Sequence, residues 1–409
     1  MGLVGAPQLL PRPRLRYSRL VASLPQGVLE RPRFRSLDLV NFLSYRKSSL
    51  EFDDFIALVG PNASGKSNAV AAIKLLRDIP FHGLPIAIAR RGGFDQLRHR
   101  SHGRPYDPAL KLRFSYDGNE SYYELALGAI AGKRYEVKHE HGVVKMGLDE
   151  YRFTNDSGKF SWTFIREGAE LDIANRDRQL PIPPGQSAVT ASGNVAAYWV
   201  SRALQSMQTV AINPALVSDL QEPSSTREFE PDGSNAASIY DALDAPARTQ
   251  LVDEMSAIVP GIVRIDVRRL ADKVTLEFVQ DTGRGKREFL AKQMSDGTLR
   301  VFGMLLSTLQ GNRPSLVVIE EPEIAMHLGA LHTLVDVLKQ QAMDCQVVIT
   351  THSADIVDIL PIESLRVVWN VDGASHLAEV ADHTRETVKR GLITPGALLR
   401  ADSLDPVGA

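Results

Sequence analysis

The residues best equipped for chemistry are Gly60, Pro61, Asn62, Ala63, Ser64, Gly65, Lys66 and Ser67. Their spacing fits G-x-x-x-x-G-K-[ST], the phosphate-binding loop. Glycines let the backbone wrap an anion, so that successive N–H groups point at it. The start of a following helix adds the positive end of its dipole. In such a loop Lys66 reaches the β- and γ-phosphates of ATP, and the Ser67 hydroxyl ligates Mg²⁺. Asn68 carries the motif into the helix. The plain alternative is a glycine turn between a strand and a helix.

A phosphate loop also needs a carboxylate to hold Mg²⁺ and, for hydrolysis, a group that orients or deprotonates water. Leu316-Val317-Val318-Ile319 is an apolar run ending in Glu320-Glu321-Pro322-Glu323. Glu320 is placed to ligate Mg²⁺, Glu321 to activate water, and Glu323 reads as a solvated loop charge. Gln346-Val347-Val348-Ile349-Thr350 is a second buried-strand pattern, and it ends in Thr351-His352-Ser353. His352 could reach a γ-phosphate from there; taken alone it would be an ordinary loop histidine. Met294-Ser295-Asp296-Gly297-Thr298-Leu299-Arg300 precedes a helical pattern over 301–309. Ser295 and Gly297 open that helix as a second anion-binding terminus, or Ser295 or Asp296 simply caps it.

These groups need a scaffold. Phe55-Ile56-Ala57-Leu58-Val59 reads as the buried strand before the loop, and 68–77 as the helix after it. Strands are expected over 34–40 and 48–52. Alternating runs across 109–153 read as an antiparallel meander. Helices are expected over 195–207 and 236–259, β runs over 262–267 and 274–279, and loops over 180–194 and 218–234. The alternation of helix and strand over 295–370 marks a parallel sheet. Residues 1–32, rich in Pro and Arg, read as a flexible tail or a nucleic-acid-binding arm. Arg90, Arg91, Arg98, Arg100 and Arg104 form a basic stretch.

Composition narrows the class. With 409 residues, 47 Lys+Arg and 49 Asp+Glu, the net charge is −2, so no whole-chain footprint for nucleic acid exists. The single cysteine, Cys345, rules out an intrachain disulfide framework and suits a reducing, cytoplasmic setting. No apolar run approaches the roughly 18 residues of a membrane span, so no membrane partner is expected. The N-terminus has no signal-peptide pattern.

Phosphate loop, S-D-G-T before a helix, Glu-Glu-Pro and Thr-His-Ser, in that order, resemble the ATP-binding cassette ATPases. The likeness is to their SMC/RecF/OLD-like branch, and within it to stand-alone predicted ATPases of the AAA group with SDGTLR. It covers roughly 33–400. The resemblance implies an α/β P-loop fold: an ABC-like head with a mixed or parallel core sheet, an antiparallel β subdomain and a helical lobe. It also implies a head-to-tail homodimer around ATP, in which Ser295 and Gly297 of one copy touch the γ-phosphate held by the other.

The sequence departs from the family pattern at several points. Asp296 and Thr298 replace a glycine and the glutamine of the family's L-S-G-G-Q. Glu320 replaces an aspartate, and His327 falls near the place of another. Gln96 and Gln208 both stand as candidates for the family's Q-loop. Arg90 or Arg91 could send a guanidinium to the phosphates, or lie in a solvated loop. No heptads of an SMC coiled coil appear over 80–290, and too little chain follows Ser353 for an OLD nuclease module.

The organisation expected is a tail (1–32), a first ATPase lobe with the loop and meander (33–180), a linker with helical and β insertion (181–290), and a closing half with the remaining motifs (291–409). The function expected is ATP binding and hydrolysis by a dimerising switch in DNA repair or in defence against foreign DNA. The alternative is a nucleotide-gated regulator of a separate effector, a toxin or nuclease, that does not touch DNA.

Overall fold

A computed structural model of the chain describes residues 31–100, 106–132, 134–171 and 181–408. The tail reading of 1–32 and Arg104 of the basic stretch therefore lie outside the described residues, but for Arg31 and Pro32. From Pro32 onward the chain forms one compact unit.

The strands are β1 (Arg33–Phe42), β2 (Tyr45–Glu51), β3 (Phe55–Val59), β4 (Ala109–Tyr116), β5 (Asn119–Ile130), β6 (Arg134–Met146), β7 (Asp149–Asp156), β8 (Lys159–Arg166), β9 (Ala169–Leu171), β10 (Met207–Val210), β11 (Ile262–Leu270), β12 (Lys273–Asp281), β13 (Lys286–Leu290), β14 (Leu316–Glu320), β15 (Gln346–Thr351), β16 (Leu365–Val371) and β17 (Ala374–Glu379). Seven of its helices are α1 (Lys66–His82), α2 (Val195–Gln205), α3 (Ala236–Asp241), α4 (Ala245–Ile258), α5 (Asp296–Leu309), α6 (Leu328–Gln341) and α7 (Ala354–Ile359).

Fourteen strands form one sheet, ordered β10-β14-β15-β3-β16-β17-β2-β1-β4-β5-β6-β7-β8-β9. From β10 to β16 all neighbours run parallel. Their apolar residues are buried without alternation, as a parallel sheet covered on both faces requires: Ile56, Ala57, Leu58 and Val59 are all fully buried. From β2 to β9 the pairing is antiparallel and side chains alternate. On β5, Ser121, Tyr123, Leu125 and Leu127 face inward. The meander thus runs on past 153, and it continues the core sheet. The two halves meet through a single parallel register pair, Ser375 with Tyr45.

The smaller sheet, β11-β12-β13, packs on α5. Phe302 of α5 makes ring contacts with Phe278 at 5.5 Å and Tyr240 at 5.8 Å. Residues 301–309 of α5 are all buried, the condition of a helix apolar on every side. The expected single helix over 236–259 is two helices. Asp244 caps α4 by accepting the Ala247 N–H at 2.9 Å, and Pro246 sits in the first turn. An N-cap followed by Pro is a start signal, so the chain breaks before it.

The linker over 181–194 is anchored rather than loose. Glu140 of β6 is fully buried and accepts from Tyr123, Ser187, Asn155 and the Ala188 N–H. Such a carboxylate is tolerated only because its oxygens are bonded.

Candidate functional site

The site lies where the parallel strands β14, β15 and β3 end, the usual ligand crevice of an open α/β sheet. Register places Glu320 beside Thr350, and Thr351 beside Val59. Glu321, His352 and Gly60, each the next residue of its strand, therefore emerge as neighbours.

The phosphate loop takes its shape from contacts that only glycine permits. A Cβ on Gly60 would lie 2.1 Å from the Val368 carbonyl oxygen, and one on Gly65 2.3 Å from Ser375 Oγ. Gly65 also has φ 120°, a conformation unfavourable for side chains. Pro61, Asn62 and Ala63 are exposed at the loop's crown, and Ser64 is buried beneath it. Three residues pin the loop from elsewhere. Ser375 Oγ lies 2.6 Å from the Ser64 carbonyl and 2.7 Å from Ser44 Oγ. Asn68 Nδ2 donates to Ser44 Oγ at 2.7 Å, and the Tyr45 hydroxyl donates to the Gly65 carbonyl at 3.0 Å. Burial pushes the Tyr45 phenol well up, so it remains a donor.

Lys66 opens α1. Its Nζ donates to the Gly60 and Pro61 carbonyls at 2.7 and 2.9 Å. Burial lowers its pKa, and the nearby charges of Glu321 and Glu323 pull it back up. Ser67 is exposed beside it. Glu320 ends β14 and accepts from Lys74 Nζ of α1 at 2.5 Å.

Glu321 has φ 47°, a strained value for a residue with a side chain. Its N–H donates to the Thr350 carbonyl at 2.9 Å, which fixes the turn. His352 Nδ1 then stands 3.5 Å from Glu321 Oε1 and 3.7 Å from Glu323 Oε1. Glu323 is not a solvated charge. Its side chain is 12% exposed, and its Oε1 accepts the Thr351 hydroxyl at 2.7 Å and the His352 N–H at 3.3 Å. The loop after Pro322 turns back over β15, which carries Glu323 under the strand end.

Ser295 caps α5, accepting the Thr298 N–H at 3.2 Å. Among the described residues no hydrogen bond joins Ser295 or Gly297 to the phosphate loop of the same chain. A Cβ on Gly297 would lie 2.5 Å from the Ala325 carbonyl, so this glycine has an intrachain reason to be glycine. His327 caps α6, its Nδ1 accepting the Gly329 N–H at 3.2 Å.

Of the other candidates, Gln208 is buried in β10, bonded to Arg77 and to the Phe229 carbonyl, and Gln96 is exposed on a short helix. Arg91 is neither solvated nor aimed at the loop. It donates to Asp78 at 3.0 Å and to the Ala87 carbonyl at 2.6 Å. Arg90 is exposed. Ser44, Tyr45 and Ser375 at the loop, and Lys74 at Glu320, escaped sequence reasoning because only the fold brings them there.

The fold has solved counterparts. An SMC head bound to the C-terminal winged-helix domain of ScpA aligns at TM-score 0.53 and 14% identity, covering 87% of this chain and 99% of that one. A Pyrococcus furiosus SMC head with an extended coiled coil, bound to the C-terminal domain of ScpA, aligns at 0.52 and 12%, covering 88% and 99%. A Pyrococcus yayanosii SMC head with coiled coil and joint gives 0.50 and 11%, covering 88% and 99%. A search among curated proteins finds no match. Residues 55–358 match the family described as "AAA domain, putative AbiEii toxin, Type IV TA system". The chain therefore belongs to that AAA domain family, and its fold is that of the SMC heads.

Proposed function

We propose that this chain is an ATP-hydrolysing switch whose site is completed by a second copy. The carrying observation is the convergence of Glu321, His352 and the Lys66 loop at three adjacent strand ends. Lys66 supplies fixed positive charge, and Glu321 a carboxylate able to orient or deprotonate water. His352, whose Nδ1 stands 3.5 Å from Glu321 Oε1, leaves Nε2 for the transferred phosphoryl group. Such catalysis is positioning and electrostatics rather than covalent chemistry.

Mg²⁺ is usually held by one or two protein oxygens together with substrate phosphates. Ser67 and Glu320 fit that short donor set, and among the described residues no group of three or more His, Cys, Asp and Glu could hold a metal. When bound, the ion would offset phosphate charge. On the helix side Glu320 is paired with Lys74.

The homodimer reading rests on α5. Ser295 and Gly297 open a 14-residue helix, and among the described residues no hydrogen bond joins that terminus to the phosphate loop of its own chain. A second copy arranged head to tail would give it one. ATP then joins the two copies and hydrolysis separates them.

The biological role we favour is DNA repair or defence against foreign DNA. The family's description, with its toxin of a type IV toxin–antitoxin system, supports the defence reading. Control of a separate effector protein is the second reading, favoured by the near-zero net charge and by solved SMC heads that hold a protein partner. Among the described residues no helix is long and apolar enough to cross a membrane.

The test is turnover and oligomeric state of the wild type and of Glu321→Gln, each with ATP. The variant is expected to bind ATP, lose turnover and persist as a dimer. Unchanged turnover would remove Glu321 from the mechanism, and a monomer under ATP would remove the composite site. Binding to duplex DNA that weakens steeply with salt separates the DNA reading from the effector reading.

A further inference from the structure

The loop from Glu321 to His327 does more than connect β14 to α6. Glu323 is two residues past the water-activating position, yet its carboxylate is turned inward. One oxygen, Oε1, gathers three groups from the end of β15: the Thr351 hydroxyl at 2.7 Å, the His352 N–H at 3.3 Å and His352 Nδ1 at 3.7 Å. The other oxygen, Oε2, is buried and has no hydrogen-bond partner among the described residues. A buried carboxylate oxygen with no donor is costly, by about 1–3 kcal/mol. An apolar side chain here would leave the Thr351 hydroxyl and the His352 N–H without this acceptor. What the carboxylate provides is a fixed negative charge against the imidazole and a hydrogen bond to the backbone that carries it.

Glu321 stands on the same ring nitrogen, 3.5 Å away. The two carboxylates therefore bracket Nδ1. Among the described residues Nε2 of His352 has no hydrogen-bond partner. Nδ1 has none either: its two carboxylate neighbours stand at ion-pair distance and orient the ring electrostatically.

We propose that Glu323 is a positioning residue for hydrolysis. It holds the Thr351–His352 strand end by two hydrogen bonds and, with Glu321, sets a carboxylate beside Nδ1 of the His352 ring. The same carboxylate also contributes, after Glu321, to the field at Lys66 of the phosphate loop. Glu323 need not touch substrate; it acts through His352.

The proposal rests on the ATPase reading, and its test keeps the two apart. Glu323→Gln preserves volume and one acceptor oxygen but removes the charge, and Glu323→Asp retains the charge on a shorter stem. Steady-state ATP turnover is expected to fall by about tenfold or more in Glu323→Gln with KM little changed, and to recover in part in Glu323→Asp. In protein labelled with ¹⁵N-histidine, the His352 ring-nitrogen signals, identified by their loss in His352→Ala, are expected to move in Glu323→Gln. If those signals stay at their wild-type positions in Glu323→Gln, the proposal is overturned, whatever the turnover. If the wild type itself shows no turnover, the ATPase reading fails while the ring signals still decide whether Glu323 sets the histidine.

Discussion

Lys74 Nζ lies 2.5 Å from Oε1 of Glu320. This pair joins α1, which starts at the phosphate loop, to the end of β14, and both side chains are partly shielded from water. A cation that close to the carboxylate we propose as a Mg²⁺ ligand competes with the metal for it. Lys74→Met removes the competitor and keeps the aliphatic stem. Half-saturating Mg²⁺ for nucleotide binding is expected to fall by several-fold, since a charge pair of this kind alters local affinity by about 1 kcal/mol. Titration of nucleotide binding against Mg²⁺ measures it. A rise instead would mean that Lys74 is needed to aim Glu320.

Ser375 is the keystone of the loop's support. It forms the single register pair linking the two halves of the sheet, and its hydroxyl reaches the Ser64 carbonyl across 311 residues of sequence. Ser375→Ala leaves that carbonyl without its donor, a loss of about 1 kcal/mol that falls on the bound shape of the loop. Nucleotide affinity, read by fluorescence with a labelled ATP analogue, is expected to weaken about threefold to tenfold. An unchanged affinity would show that Ser44, Tyr45 and Asn68 suffice.

The same contacts mark the limit of sequence reading. The loop at 60–67, the apolar run ending in Glu320-Glu321 and the one ending in Thr351-His352 are contiguous, and each carries its own strand or helix pattern. They were legible for that reason. Ser44, Tyr45 and Ser375 are isolated polar residues whose role exists only after β17 pairs with β2. Lys74 left a faint signal, one charge inside the apolar stretch Ala71-Ala72-Ile73-Lys74-Leu75-Leu76. Glu323 misled, because an acid beside a proline in a loop is usually solvated. Its inward turn depends on the positive φ of Glu321 and Ala325, 47° and 63°, which local sequence does not announce. The break between α3 and α4 was readable, since Asp244-Ala245-Pro246 is a helix start.

Gly297 tests how tightly α5 is fitted to the loop after Glu321. An added methyl would meet the Ala325 carbonyl at 2.5 Å, and that carbonyl belongs to a loop already holding a left-handed residue. Gly297→Ala must push the loop away or tilt α5. Overpacking of this kind typically costs about 1–3 kcal/mol. The melting temperature is expected to drop, and ATP turnover to fall further than ATP binding, because the displaced segment carries Glu321 and Glu323 but not Lys66. Equal losses in binding and turnover would place the damage elsewhere.

Glu254 offers a pH test of the helical packing behind the site. It lies in α4 and accepts from Gln250 at 2.8 Å and from Gln341 of α6 at 2.7 Å, and Gln341 in turn accepts the Thr308 hydroxyl of α5 at 2.8 Å. Burial raises its pKa above the ordinary 4.5, while the two amide bonds and Arg313 act in the opposite direction. The sign follows. A carboxyl group with a raised folded-state pKa holds its proton more tightly folded than unfolded, so its contribution is complete below 4.5 and is lost as pH rises through the folded value. Glu254→Gln cannot ionise and lacks that loss. Its melting temperature relative to wild type is therefore expected to improve between pH 4 and pH 7. The lost acceptor oxygen sets a constant offset and does not alter the slope. A difference that is flat with pH would mean that the three-helix junction admits enough water to solvate the carboxylate.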